Sequence, residues 1–169
     1  MTEATLLTTD DRPVLRFERH LHKPIDLVWR ALTDFDELQS WFPTNIVTDR
    51  WEVGAALTFV FREHEAPDFT GTVLEYDAPR VLAFTWGDDD SLRFELTATD
   101  DGGTRLVLTD QLRASIAARN AAGWDVCLDR LVLGDSADGE WKPRFDRYSA
   151  SFEPQLGPQE GPPPGFEEG

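Results

Sequence analysis

The sequence predicts an α+β fold: a curved antiparallel sheet wrapped around a long C-terminal helix, with two short helices after the first strand. Three observations carry that expectation. Apolar residues alternate at a spacing of two from Pro13 to His22 and again in several runs between Asn45 and Thr109, with turn residues between the runs. Two short stretches after Pro24 and Asp34 change to helical spacing. One long helix-period segment runs from about Ser115 to Leu133 and stops at Gly134.

Met1–Arg12 is Thr-rich and acidic, and residues 1–12 are expected to be a flexible lead-in. Pro13–His22 places Leu15, Phe17 and Leu21 on one face, with Arg19 the exception on that face. His20 and His22 fall on the other face. Two histidines at i, i+2 can ligate a metal, but no cysteine or carboxylate constellation accompanies them in sequence. They read as solvated strand residues, and no metal is expected.

Pro24 suits a first helical position. Ile25, Val28, Trp29 and Leu32 make one apolar face, and Asp26 favours the positive end of the helix dipole. Asp34 and Glu37 have the spacing of a capping box, which opens a second short helix carrying Leu38, Trp41 and Phe42. Pro43 stops it. These two helices are expected to close one end of the sheet.

Strands follow over Ile46–Trp51, Ala56–Arg62 (Leu57, Phe59 and Phe61 on one face) and Phe69–Tyr76, where Gly71 signals a bulge or close packing. Val81–Trp86 puts Leu82, Phe84 and Trp86 on one face. Leu92, Phe94 and Leu96 alternate with polar residues, and Leu106 and Leu108 point inward from Thr104–Thr109. Gly87–Ser91 reads as an acidic hairpin loop, and Asp100–Gly103 is a strong hairpin turn. Strands joined by such short links form an antiparallel meander.

In the long helix, Trp124, Cys127, Leu128 and Leu131 share a face. Gly123 costs about 1 kcal/mol there relative to Ala, so a close approach by another element is expected to justify it. The sheet-and-helix domain is thus expected to span 13–134. Residues 135–169 read as a partly ordered acidic tail rich in Pro and Gly, with Asp135–Arg147 packing outside the core and Glu153–Gly169 flexible.

The chain has 169 residues, 40% of them hydrophobic, with six Trp and eleven Phe, which supports a substantial core. The net charge of −16 argues against nucleic acid, whose recognition needs a basic footprint, and against an anionic membrane surface. A single cysteine, Cys127, permits no intrachain disulfide and agrees with a reducing compartment. Residues 1–12 lack the basic and apolar regions of a secretory signal, and no apolar run approaches the length of a membrane span, so a cytoplasmic protein is expected.

Several fragments in order carry a resemblance. They are Pro24-x3-Val28-Trp29-x-Ala31-Leu32-Thr33-Asp34, Leu38-x2-Trp41-Phe42, Gly54 before Leu57 and Phe59, and Gly71-x-Val73-x-Glu75-x-Asp77-x-Pro79-Arg80. Leu82-x-Phe84-Thr85-Trp86 and Gly123-Trp124-x3-Leu128-x2-Leu131 complete the set. Together they span Val14 to Gly134 and resemble the START-like helix-grip (SRPBCC) superfamily. Within it they are similar to the branch named for the C-terminal domain of the activator of the ninety-kilodalton heat-shock-protein ATPase. The resemblance implies a cavity between sheet and long helix that often holds an apolar small molecule. Many relatives carry a His or a Gly-Phe pair after the last strand. This chain has Asp110-Gln111-Leu112 there, so no role of that His carries over.

The candidate ligand-binding residues are Trp41, Phe59, Phe61, Tyr76, Phe84, Trp86, Phe94, Asn120, Trp124 and Cys127. The aromatics equally suit a closed core. Tyr76 and Asn120 are the candidate polar contacts, and Trp41-Phe42 reads as a plug or a lid. Cys127 reads as a small core hydrophobe rather than a nucleophile. His64 with Glu63 or Glu65 is a conceivable acid–base group in an exposed loop. No catalytic motif, phosphate loop, zinc spacing or dinucleotide fingerprint is present, so no catalytic residue and no cofactor is expected. The expected function is non-catalytic binding of a small hydrophobic molecule. The alternatives are a chaperone cofactor or other protein-partner regulator, and an enzyme acting on a polyketide-like or other hydrophobic substrate. A homodimer is left open.

Overall fold

The structure, a computed structural model, describes residues 3–8, 12–64 and 66–161, and the side chains of all these except Thr8 and His64. Parts of the expected lead-in (1, 2 and 9–11), the end of the expected tail (162–169) and the grouping of His64 with Glu63 or Glu65 lie outside the described residues.

Eight strands form one antiparallel sheet in the order β1-β2-β8-β7-β6-β5-β4-β3. They are β1 Thr5–Thr8, β2 Pro13–Leu21, β3 Asn45–Val47, β4 Ala56–Val60, β5 Phe69–Asp77, β6 Val81–Trp86, β7 Asp90–Ala98 and β8 Thr104–Gln111. The consecutive strands β3 to β8 are the predicted meander, and β2 closes onto β8 with Phe17 opposite Leu108. Two differences concern strands. β1 lies inside the expected lead-in and pairs with β2, Leu6 opposite Leu15. β3 is shorter than expected because Thr48 turns its hydroxyl onto the carbonyls of Arg50 and Ala56 and ends the pairing.

The helices are α1 Ile25–Thr33, α2 Phe35–Leu38, α3 Ala117–Leu133 and α4 Lys142–Leu156. Asp34 caps α2 as expected, its Oδ1 accepting from the backbone N–H groups of Asp36 and Glu37 at 3.0 and 3.1 Å. Trp41 and Trp51 bond their indole N–H groups to the carbonyls of Ala31 and Thr33, which clamps the C-terminal end of α1. α3 lies across the inner face of the sheet, so the architecture is a helix grip. A Cβ at Gly71 would come within 2.1 Å of the Thr85 carbonyl oxygen and 2.8 Å of the Phe59 ring, which is the close packing the sequence signalled. The register between β5 and β6 also slips between Val73 and Glu75.

The segment after Gly134 is more ordered than the sequence suggested. α4 packs on α3 and contributes Tyr148 and Phe152 to the core, each 3% exposed. A buried polar network holds it there and accounts for Arg19, the charged residue on an apolar strand face. Arg19 Nη2 lies 2.9 Å from Asp125 and 3.7 Å from Asp129 of α3. Arg144 of α4 reaches Asp129 at 2.7 Å and Asp138 at 2.8 Å. The Tyr148 hydroxyl donates to Asp125 and accepts from the Ala4 backbone N–H. Beyond α4, the side-chain oxygen of Gln159 accepts from the Ala118 N–H and its amide donates to the Ala114 carbonyl, so 157–161 runs back over the start of α3.

Candidate functional site

Strand alternation carries polar groups into the grip at one end. On β7 the buried positions are Asp90, Leu92, Phe94 and Leu96, and on β8 they are Thr104, Leu106, Leu108 and Asp110. Leu92 pairs with Asp110 and Trp86 with Asp90, so the two carboxyls are diagonal neighbours on the inner face. Asp110 is fully buried and Asp90 is 7% exposed. α3 presents Asn120 and Trp124, four residues apart on one stripe, to this pair. Asn120 Nδ2 donates to Asp90 Oδ2 at 3.1 Å, and Trp124 Nε1 donates to Asp110 Oδ2 at 3.1 Å. Oδ1 of Asp110 is buried with no hydrogen-bond partner among the described residues.

Burial, and then the charge of Asp89, push the Asp90 carboxyl up to about 6; the Asn120 amide and the cations Arg12 and Arg113 pull the other way. Burial pushes Asp110 well above the carboxylate range, and the neighbouring Asp90 adds to it, against the bond from Trp124 and the nearby Asn120 amide. Burial thus favours the protonated form of Asp110, which carries an O–H donor. The pair can donate a hydrogen bond and accept one.

An aromatic wall adjoins the pair. Trp124 stands 5.5 Å from Phe42 and 5.6 Å from Trp86 between ring centroids. Trp86 continues to Phe59 at 4.6 Å and Phe69 at 4.7 Å. Of the residues expected from sequence, Trp41, Phe59, Phe84, Trp86, Phe94 and Trp124 therefore join one cluster. Trp41 and Phe42 are both buried within it, 1% and 2% exposed. Asn120 touches the polar end. Cys127 lies one turn further along α3, where burial raises its thiol to about 12. Phe61, past the end of β4 and half-buried, meets the wall at Phe69, while Tyr76 packs on Trp29 of α1 at 5.6 Å.

Asp90 and Asp110 were missed in the sequence, although the signal was present. Extending Leu106 and Leu108 by two reaches Asp110, and extending Leu96, Phe94 and Leu92 backward reaches Asp90. Asp90 instead read as part of an acidic loop, because three consecutive aspartates after a glycine suggest solvent.

A separate groove of about 610 Å³ opens at the other end of α3, lined among others by Lys23, Glu37, Arg130, Leu131 and Leu133. Among the described residues no helix is long and apolar enough to cross a membrane.

Comparison with solved structures agrees with this architecture. The chain is similar to a conserved protein of unknown function, EF2215, from Enterococcus faecalis, with a TM-score of 0.75, 21% identity and coverage of 89% of this chain and 91% of that one. It is similar to CalU16 from Micromonospora echinospora, with a TM-score of 0.71, 21% identity and coverage of 89% and 98%. A protein encoded by gene BPP1335 from Bordetella parapertussis gives a TM-score of 0.64, 27% identity and coverage of 89% of each chain. No curated protein matches the sequence. The pattern of the family described as Activator of Hsp90 ATPase homolog 1-like protein matches residues 22–133. That match spans most of the sheet, both short helices and the gripped helix, and the chain belongs to the Activator of Hsp90 ATPase homolog 1-like family.

Proposed function

We propose that this domain binds a small, mainly apolar, uncharged molecule between the sheet and α3, with a polar group of the ligand meeting Asp110. The observation that carries this reading is the buried Asp110 Oδ1, without a partner among the described residues, beside Trp124. An unsatisfied buried polar atom is costly, and a ligand hydroxyl or carbonyl would satisfy it. Trp86, Phe42 and Trp124 supply apolar contact next to it. Two carboxyls and a net charge of −16 disfavour anionic ligands such as fatty-acid carboxylates. Binding is preferred over chemistry because Asp110 is tied to Trp124 and its burial favours the protonated form over the charged one. An enzyme acting on a polyketide-like substrate would need Asp90 as its base, and turnover lost in Asp90→Asn with binding retained would favour that alternative.

The test is native mass spectrometry with thermal-shift screening of neutral aromatic alcohols, ketones and matched carboxylates. Retention of neutral compounds, weakened about tenfold by Asp110→Leu, is the expected result. Equal retention by wild type and Asp110→Leu would count against the reading.

A second reading is a protein-partner role, whether as chaperone cofactor or regulator. The groove at the C-terminal end of α3, with Leu133 exposed beside Lys23 and Arg130, favours it. A pull-down with wild type and Leu133→Glu, compared with a charge-matched control, tests it; identical captures by all three would remove its motivation.

A further inference from the structure

We propose that His20, His22 and Asp101 form a surface site for a divalent transition-metal ion, independent of the grip between sheet and helix. His20 is the exposed next-to-last residue of β2, and His22 follows it by two residues, so both imidazoles leave the chain on the same side. The fold adds what the sequence lacks. The turn joining β7 to β8 brings a carboxylate beside them, eighty residues away in the chain, and ligand atoms of all three side chains lie within 4.8 Å of one another.

The geometry suits a small ion with nitrogen ligands. His20 Nε2 stands 3.4 Å from Asp101 Oδ2. Two ligands held about 2.0–2.1 Å from a tetrahedral ion are separated by roughly 3.3–3.4 Å, so this pair already has the spacing of one tetrahedral edge. The His22 ring meets the His20 ring edge-on, with centroids 4.8 Å apart. His22 is exposed just beyond the strand, where its ring is not held by packing, and its ligand atom already lies within 4.8 Å of those of His20 and Asp101. Water would complete the coordination.

The surroundings hold the carboxylate in place. Oδ1 of Asp101 accepts from the Thr99 hydroxyl and, at 3.0 Å, from the Gly103 N–H, which leaves Oδ2 turned toward His20. Such outer bonds orient a ligand and strengthen a site. Gly103 is needed for the approach: a Cβ there would come within 2.7 Å of the Leu21 carbonyl oxygen and 2.9 Å of His20 Nε2. The Thr104 hydroxyl then bonds the Lys23 carbonyl at 2.8 Å, pinning the backbone that follows His22. Two imidazoles with one carboxylate select zinc, nickel, cobalt or copper over the oxygen-seeking calcium and magnesium.

The test is isothermal titration of Zn²⁺ into the full chain, repeated in excess Ca²⁺. The expected result is one saturable site that Ca²⁺ does not displace. His20→Gln and His22→Gln each weaken it at least tenfold, Asp101→Asn and Thr99→Val weaken it less, and His64→Ala leaves it unchanged. The side chains of His20, His22 and Asp101 are exposed and that of Thr99 is half-buried, and circular dichroism checks that each variant is folded. Zn²⁺ binding that survives the double substitution His20→Gln/His22→Gln, binding displaced by Ca²⁺ as on any acidic surface, or no saturable heat up to roughly 1 mM would each overturn the proposal.

Discussion

The indole N–H of Trp124 donates to Oδ2 of Asp110 across 3.1 Å, joining an indole that is 4% exposed to a carboxyl that is fully buried. This bond couples the gripped helix to the last strand at the place where polar groups enter an otherwise apolar interior. Trp124→Phe keeps much of the ring volume but leaves both oxygens of Asp110 without that donor. A loss of about 1–3 kcal/mol in denaturant unfolding is expected. No change in unfolding midpoint would mean that the bond is not formed in solution.

The carboxyl pair sets a pH dependence. The Asp90 carboxyl titrates near 6 in the folded protein against 3.8 when unexposed to the fold, so between these values the native state holds more protons than the unfolded chain. Its contribution is fully present below about pH 4 and is lost as the pH rises through about 6. Asp110 acts in the same direction. Asp90→Asn has no such titration, so its stability relative to wild type should improve between about pH 4 and 6.5, by at most about 3 kcal/mol. Parallel stability curves for the two proteins over that range would contradict the placement of Asp90.

Two glycines are expected to respond in opposite ways. Gly123 lies inside α3, and a Cβ added there has Trp141 Nε1 as its nearest neighbour, at an ordinary 4.0 Å. The close approach expected from sequence is therefore not what this glycine serves, and Gly123→Ala should stabilise by about 1 kcal/mol. Gly71→Ala must push apart the Thr85 carbonyl and the Phe59 ring, and should destabilise by about 1–3 kcal/mol. Thermal midpoints of the two variants check both signs.

The network around Arg19 makes α4 part of the folded unit. Arg19→Met removes the cation shared by Asp125 and Asp129 and should cost about 3–5 kcal/mol, because two carboxylates stay buried with less compensation. A chain ending at Gly139 lacks Arg144, Tyr148 and Phe152, and should melt well below the full chain or fail to fold. A truncated chain with an unchanged melting temperature would contradict this role of α4.

Cys127 is 6% exposed and its thiol is raised to about 12 by burial. Modification by a thiol reagent at pH 8 should be slow in the native protein and complete within the mixing time after denaturation. Rapid native modification would place the thiol at an open surface.

The alternation of Leu92, Phe94 and Leu96 and the helical stripe of Trp124, Leu128 and Leu131 were readable in the sequence, because burial imposes periods of two and 3.6 on apolar residues. α4 was harder to read because its buried face mixes Arg144 with Tyr148 and Phe152, and its charges looked like solvent until Asp129 and Asp138 were set against them. Arg19 was seen as an exception on its strand, but its partners lie more than a hundred residues away on α3. The polar end of the grip hid for a related reason. Asp90 and Asp110 obey the strand period, but carboxylates at such positions read as loop until a partner such as Trp124 appears across the core.

The most direct measurement of the central claim is an NMR titration with a neutral aromatic alcohol, 2-naphthol, following the indole N–H resonances of the six tryptophans. The predicted result is saturable shifts of Trp124 and Trp86, with intermolecular contacts from the ligand to both, and loss of the Trp124 shift in Asp110→Leu. Shifts confined to residues of the groove beside Lys23 and Leu133, with Trp86 and Trp124 unmoved, would contradict it.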